Sequence, residues 1–209
     1  MADAEPMRIV LAALALLAVA VQAHAADLTV AVKTPRGQPV TDAVVMVDGQ
    51  GSPRFDWPMV IEQKDMRFRP FMLVVPVGGT VAFPNHDTVR HHVYSFSGAK
   101  KFELKLYGRD ETRSVTFDKP GIVAVGCNIH DSMVAFIRVV STPFADKTAA
   151  NGEARLRGVP AGQTTLRVWH PYGKAAGGEV VRTVTLPATG GRQEVQLDLR
   201  TPVSHNHAY

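Results

Sequence analysis

After its first two dozen residues this 209-residue chain has no long stretch of helical periodicity; short apolar runs rich in Val, Phe and Thr recur, each closed by Gly, Pro, Asn or Asp. That texture predicts strands joined by turns and excludes a helical bundle. Runs at 71–77, 80–83, 93–96, 102–107, 114–117, 122–125 and 134–140 predict seven short strands, at the spacing of a Greek-key β-sandwich or barrel. We take this unit as residues 63–141. Upstream, in 27–62, Leu28, Val30 and Val32 alternate with Thr29, Ala31 and Lys33, and 43–47 is a second apolar run. These strands suit the opening of either the central unit or the C-terminal one, and their membership stays open. Residues 50–58, with Gly51, Pro53 and Pro58, read as a loop carrying Trp57 as a packing residue. Composition shifts at Ser141-Thr142-Pro143, and 142–200 predict a smaller β-sandwich with no visible chemistry. Its turns are read as a hairpin at Asn151-Gly152 and another at Pro160-Ala161-Gly162, with strands over 164–170, 180–186 and 194–199. Residues 201–209 read as a disordered tail, with His205 and His207 as a loose metal site at most.

The chain opens as an exported one. Arg8 precedes an apolar run over 9–21, and Ala23-His24-Ala25 follows before Ala26, so residues 1–26 read as a secretory signal peptide. The run is short for a membrane span, an uncleaved anchor being the alternative. Its removal takes away Arg8, Asp3 and Glu5 and moves the formal charge from +4 to +5. The cations are scattered rather than massed on one face, which argues against nucleic acid and suits an acidic protein partner.

An exported chain with one cysteine forms no internal disulfide, so its thiol stays reactive unless something occupies it. By itself Cys127 reads as a core thiol. It lies, however, in Gly126-Cys127-Asn128-Ile129-His130-Asp131-Ser132-Met133, and a second histidine stands upstream in Asn85-His86-Asp87-Thr88-Val89-Arg90-His91-His92. Two imidazoles and a thiolate with a weak thioether are the donor set of a blue copper ion. His91, Cys127, His130 and Met133 are therefore the expected metal ligands, with one copper ion as cofactor. His92 and His86 are competitors for the place of His91, although neighbours on an extended strand face opposite ways. His170, in Trp169-His170-Pro171, reads as structural.

With these residues in view, 68–140 resemble the cupredoxins, the blue copper proteins, of the amicyanin and plastocyanin type. The Cys-x-x-His-x-x-Met loop of amicyanins is matched by Cys127, His130 and Met133. The whole chain after the signal resembles proteins called methylamine utilization protein, through Phe83-Pro84-Asn85-His86-Asp87, the Gly126 to Asp131 string and Trp169-His170-Pro171. Residues 143–200 resemble the carboxypeptidase regulatory-like fold. The asparagine that follows the first copper histidine in cupredoxins is here His92, and the Ser or Thr after the cysteine is Asn128. The resemblance implies a link between ligand loops at these two positions, here with roles exchanged.

The resemblance leads us to expect an all-β, periplasmic type 1 copper protein, not an enzyme, that passes single electrons from a dehydrogenase or cytochrome c, with amine oxidation as the implied pathway. His130 is the implied exit, and Arg67, Arg69, Arg90, Lys100 and Lys101 are candidates to steer an acidic partner. A copper carrier or sensor, with Met66, Met72 and the terminal His205 and His207 as handover ligands, is the alternative, and a structural β protein with a vestigial site is a third. A multicopper oxidase is disfavoured, because no His-Cys-His string is present, and a haem protein because no Cys-x-x-Cys-His is.

Overall fold

The structure, a computed structural model, describes residues 25–53 and 55–201. The expected signal peptide, apart from its last two residues, and the tail histidines His205 and His207 lie outside the described residues.

The first two strands, β1 (Ala25–Lys33) and β2 (Val44–Val47), are followed by a small hairpin, β3 (Glu62–Lys64) and β4 (Arg67–Arg69). Then come β5 (Met72–Pro76), β6 (Gly79–Pro84), β7 (His91–Ser97), β8 (Lys100–Tyr107), β9 (Thr112–Phe117), β10 (Gly121–Cys127) and β11 (Val134–Val140), which correspond to the seven apolar runs. The chain continues through β12 (Phe144–Lys147), β13 (Glu153–Pro160), β14 (Gly162–Trp169), β15 (Glu179–Leu186) and β16 (Gly191–Gln196). The last of these ends three residues short of the expected 194–199 run.

The sheets stack in layers, and the alternation of side chains decides which core each strand feeds. A five-stranded sheet, ordered β5-β11-β10-β7-β8, faces the pair β6-β9 across one core. A four-stranded sheet, β12-β2-β14-β15, faces the three-stranded β13-β1-β16 across a second. On β5, Leu73 and Val75 enter the first core, whereas Met72 and Val74 point the other way into a third core shared with Val44, Met46 and Trp169. β2 does the same, with Val45 and Val47 in the second core and Val44 and Met46 in the third. All four of its residues are buried because it has a sheet on either side. Burial of a side chain of this size contributes about 1.5–3 kcal/mol, so the third core welds the two sandwiches together. Arg138 on β11 adds an ion pair across the seam, 2.9 Å from Glu179, with its guanidinium 5.6 Å from the Trp169 ring centre.

The open question about the first strands is settled by pairing: β1 lies between β13 and β16, and β2 between β12 and β14, so both belong with the C-terminal strands. The two expected hairpins in that unit are corrected. β12 pairs with β2 and β13 with β1, so Asn151-Gly152 turns the chain from one sheet to the other. Pro160-Ala161-Gly162 likewise carries it from β13 back to β14 in the opposite sheet. Turn chemistry fixes where the chain reverses, and the buried faces on either side decide that the two arms separate.

Candidate metal centre

His91 is the first residue of β7, and Cys127 is the last of β10. These strands pair antiparallel, with Cys127 opposite Val93, so the start of one meets the end of the other at a single pole of the sandwich. Gly126, paired with Tyr94, leaves room for that ring to lie against the strand, since a Cβ there would stand 3.1 Å from it. The loop after Cys127 turns back on itself through a hydrogen bond from Met133 N to the His130 carbonyl, 2.9 Å. It delivers His130 to the surface and Met133, 1% exposed, into the first core beside Cys127.

Three donor atoms converge. His91 Nδ1 and His130 Nδ1 lie 3.8 and 3.7 Å from Cys127 Sγ and 3.1 Å from each other. These three residues form the one group of potential metal-binding side chains among the described residues. An ion at the centre of such a triangle, with nitrogen and sulfur at first-row lengths of about 2.0 and 2.3 Å, needs edges of about 3.5 Å between nitrogens and about 3.7 Å from nitrogen to sulfur. The two sulfur edges already match, and the nitrogen pair has to open by a few tenths of an ångström. With the Met133 thioether buried alongside, the set is consistent with a type 1 copper site. Burial, and then the neighbouring His91, push the His130 imidazole below its usual pKa, opposed by Asp87, so it favours the neutral form that a metal requires.

The connection from β6 to β7 is held from within. Asn85, fully buried, donates from Nδ2 to the carbonyls of Val89 (2.9 Å) and Tyr107 (3.1 Å) and accepts the Asp87 N–H at Oδ1 (2.9 Å). Asp87 then reaches His91, its carboxylate 2.7 Å from Nε2. Burial raises the Asp87 pKa, but the hydrogen bonds from His91 and from the backbone of Met66 and Asp65 outweigh it and leave the group below its usual value. Sequence reading missed Asp87 altogether, since only its spacing of four from His91 could have marked it.

The competing histidines go elsewhere. His92 faces away from the triangle and places Nε2 2.9 Å from Glu103 on β8, while its Nδ1 is buried without a partner. The expected link to Asn128 is therefore not made; alternation along β7 sends His92 to the outer face of the sheet. His86 is about half exposed, 4.0 Å from Glu62. Met72 is fully buried in the core between the sandwiches, so it is no handover ligand, whereas Met66 is 53% exposed near the site. Lys100 and Lys101 pair with Ser97 and Phe96, at the end of β7 opposite His91. Six residues of strand put them about 20 Å from the donors, so of the expected steering charges Arg67, Arg69 and Arg90 alone belong to this pole.

No protein-family model matches the chain, and no curated protein matches it. Among solved structures it is similar to a purple cupredoxin from Nitrosopumilus maritimus, at 22% identity over 39% of this chain and 98% of that one, with a TM-score of 0.35. It is also similar to a reduced tryptophan-to-tyrosine variant of amicyanin, at 21% identity over 46% of this chain and 98% of the other, TM-score 0.37. A copper-containing nitrite reductase from Thermus scotoductus matches at 27% identity over 55% of this chain but 28% of its own length, TM-score 0.39.

Proposed function

We propose that the protein is a periplasmic type 1 copper protein that carries single electrons between redox partners and turns over no substrate. The observation that carries this reading is the triangle of His91 Nδ1, Cys127 Sγ and His130 Nδ1 at one loop pole. Copper held there would supply one-electron chemistry between its +1 and +2 states. The chain's own residues supply the rest. Cys127 and Met133 sit in a dry core, so water is kept from the thiolate side, and the strand ends that carry His91 and Cys127 are fixed by pairing. A cage that is rigid in both redox states lowers the rearrangement on electron transfer. His130 is the half-buried route outward, and exposed Val89, Ile129 and Val134 surround the ligand segments with apolar surface suited to a brief encounter. A cytochrome c or an amine-oxidising dehydrogenase, with an acidic surface facing Arg67, Arg69 and Arg90, is the partner class this surface suits. The second sandwich, read as a regulatory-like fold, acts as a brace through the third core.

Half-exposed Met66 beside the site favours copper carriage as a second reading. The two differ in retention. Repeated reduction and reoxidation in the presence of a copper(I) chelator leaves the metal on an electron carrier and strips it from a copper carrier. Loss of copper within the first reductive cycle would sink the electron-transfer reading.

A further inference from the structure

We infer that Asp87, gripped by the turn between β3 and β4, is a positioning residue that fixes His91 with its Nδ1 toward the metal and holds the reduction potential of the site down. The inference rests on the type 1 copper reading.

Asp87 receives three donors on two oxygens. Asp65 N lies 2.6 Å from Oδ1 and Met66 N 3.0 Å from Oδ2, while His91 Nε2 lies 2.7 Å from Oδ2. A carboxylate only accepts, so the contact requires a proton on His91 Nε2. A neutral imidazole then has its lone pair on Nδ1, the atom that faces Cys127 and His130. In the metal-free protein His130 accordingly donates its Nδ1 proton to His91 across their 3.1 Å contact.

The grip itself is built from unusual backbone. Asp65 and Met66 have φ of 55° and 52°, the left-handed pair of a two-residue hairpin turn that Asn-Gly ordinarily supplies. A parallel bridge from Gln63 to Asn85, with His86 N donating to the Gln63 carbonyl at 2.8 Å, lays this hairpin along the segment before β7. Two residues further on, Asp65 meets Asp87. The hairpin thus serves as a bracket for the carboxylate. Asp87 is 11% exposed and His91 fully buried, so the charge acts through little water. A carboxylate on the far nitrogen makes an imidazole a more basic ligand, which favours copper(II) over copper(I).

Two measurements test this. Nitrogen-15 shifts of the metal-free wild type report the His91 tautomer with no variant and no copper; Nε2–H with a bare Nδ1 is expected, and Nδ1–H overturns the inference. In the copper-loaded protein, Asp87→Asn keeps the shape but places an amide donor against one of the backbone donors or His91. Its potential is expected to rise by about 59 mV, a tenfold change in the copper(II) to copper(I) preference, with the blue band retained. Glu103→Gln, which removes the carboxylate from His92 on the outer face, is the control for charge alone and is expected to shift the potential by less than half as much. Equal shifts in the two variants, or none in Asp87→Asn, overturn the inference while a blue wild type leaves the copper reading standing. A wild type without a blue band removes the copper reading, and the tautomer then decides the positioning of His91 alone.

Discussion

Replacing Asn85 by alanine separates a residue that holds the ligand loop from one that merely fills space. The change strands the carbonyls of Val89 and Tyr107 and the N–H of Asp87. Tyr107 is fully buried, so its carbonyl finds no water and costs about 1–3 kcal/mol. The other two partners lie nearer the surface and cost about 0.5–1.5 kcal/mol each. The sum centres on about 4 kcal/mol, which at a urea slope of about 2–3 kcal/mol per molar moves the midpoint down by roughly 1.3–2 M. Asn85→Asp keeps the acceptor for Asp87 N but turns a carboxylate oxygen on the two carbonyls, and is expected to lose as much or more. Urea titrations of the metal-free protein, followed by tryptophan fluorescence and circular dichroism, give both numbers. An Asn85→Ala loss below about 0.5 kcal/mol, the range of an ordinary surface change, would refute the reasoning, as would an Asn85→Asp variant as stable as wild type.

Met72→Ala empties a place in the core between the sandwiches and is expected to cost about 2–5 kcal/mol in the same titration; a loss under about 1 kcal/mol would mean the two sandwiches do not share packing. His170 is buried, which lowers its pKa, with Asp42 opposing, and its Nδ1 accepts the Tyr172 N–H at 3.1 Å. The unfolded chain therefore takes up the proton first, so stability falls as pH drops below the unfolded value of 6.5 and levels off below the lowered folded value. His170→Asn, which keeps an acceptor in the place of Nδ1 and does not titrate, should flatten that slope; an unchanged difference between pH 7.5 and 5 would contradict the burial argument.

The strands of the central unit were legible because each presents at least one apolar face to a core, β5 presenting two, and is bounded by turn residues. β2 carried a further clue in Val44-Val45-Met46-Val47, an unbroken apolar run that signals cover on both sides, but which sheets provide the cover is a non-local fact. The same limit explains the misread turns at Asn151-Gly152 and Pro160-Ala161-Gly162. β3 and β4 left no trace, being three residues each and joined by Asp65-Met66, which lack the glycine that usually betrays such a turn. At the site, Cys127, His130 and Met133 announced themselves by spacing, and His91 by its place before an apolar run. What could not be read was register. Register places Lys100 and Lys101 at the wrong pole, turns His92 toward Glu103, and brings Asp65 alongside Asp87 from a hairpin twenty-two residues upstream.

The most direct test of the central claim is copper(II) addition to the purified protein beside its Cys127→Ser variant, read by visible absorption and electron paramagnetic resonance. An intense blue thiolate-to-copper band with narrow hyperfine splitting is expected at one copper per chain, absent from the variant. Pale binding that survives the loss of Cys127 would place the metal on histidines alone and contradict the claim.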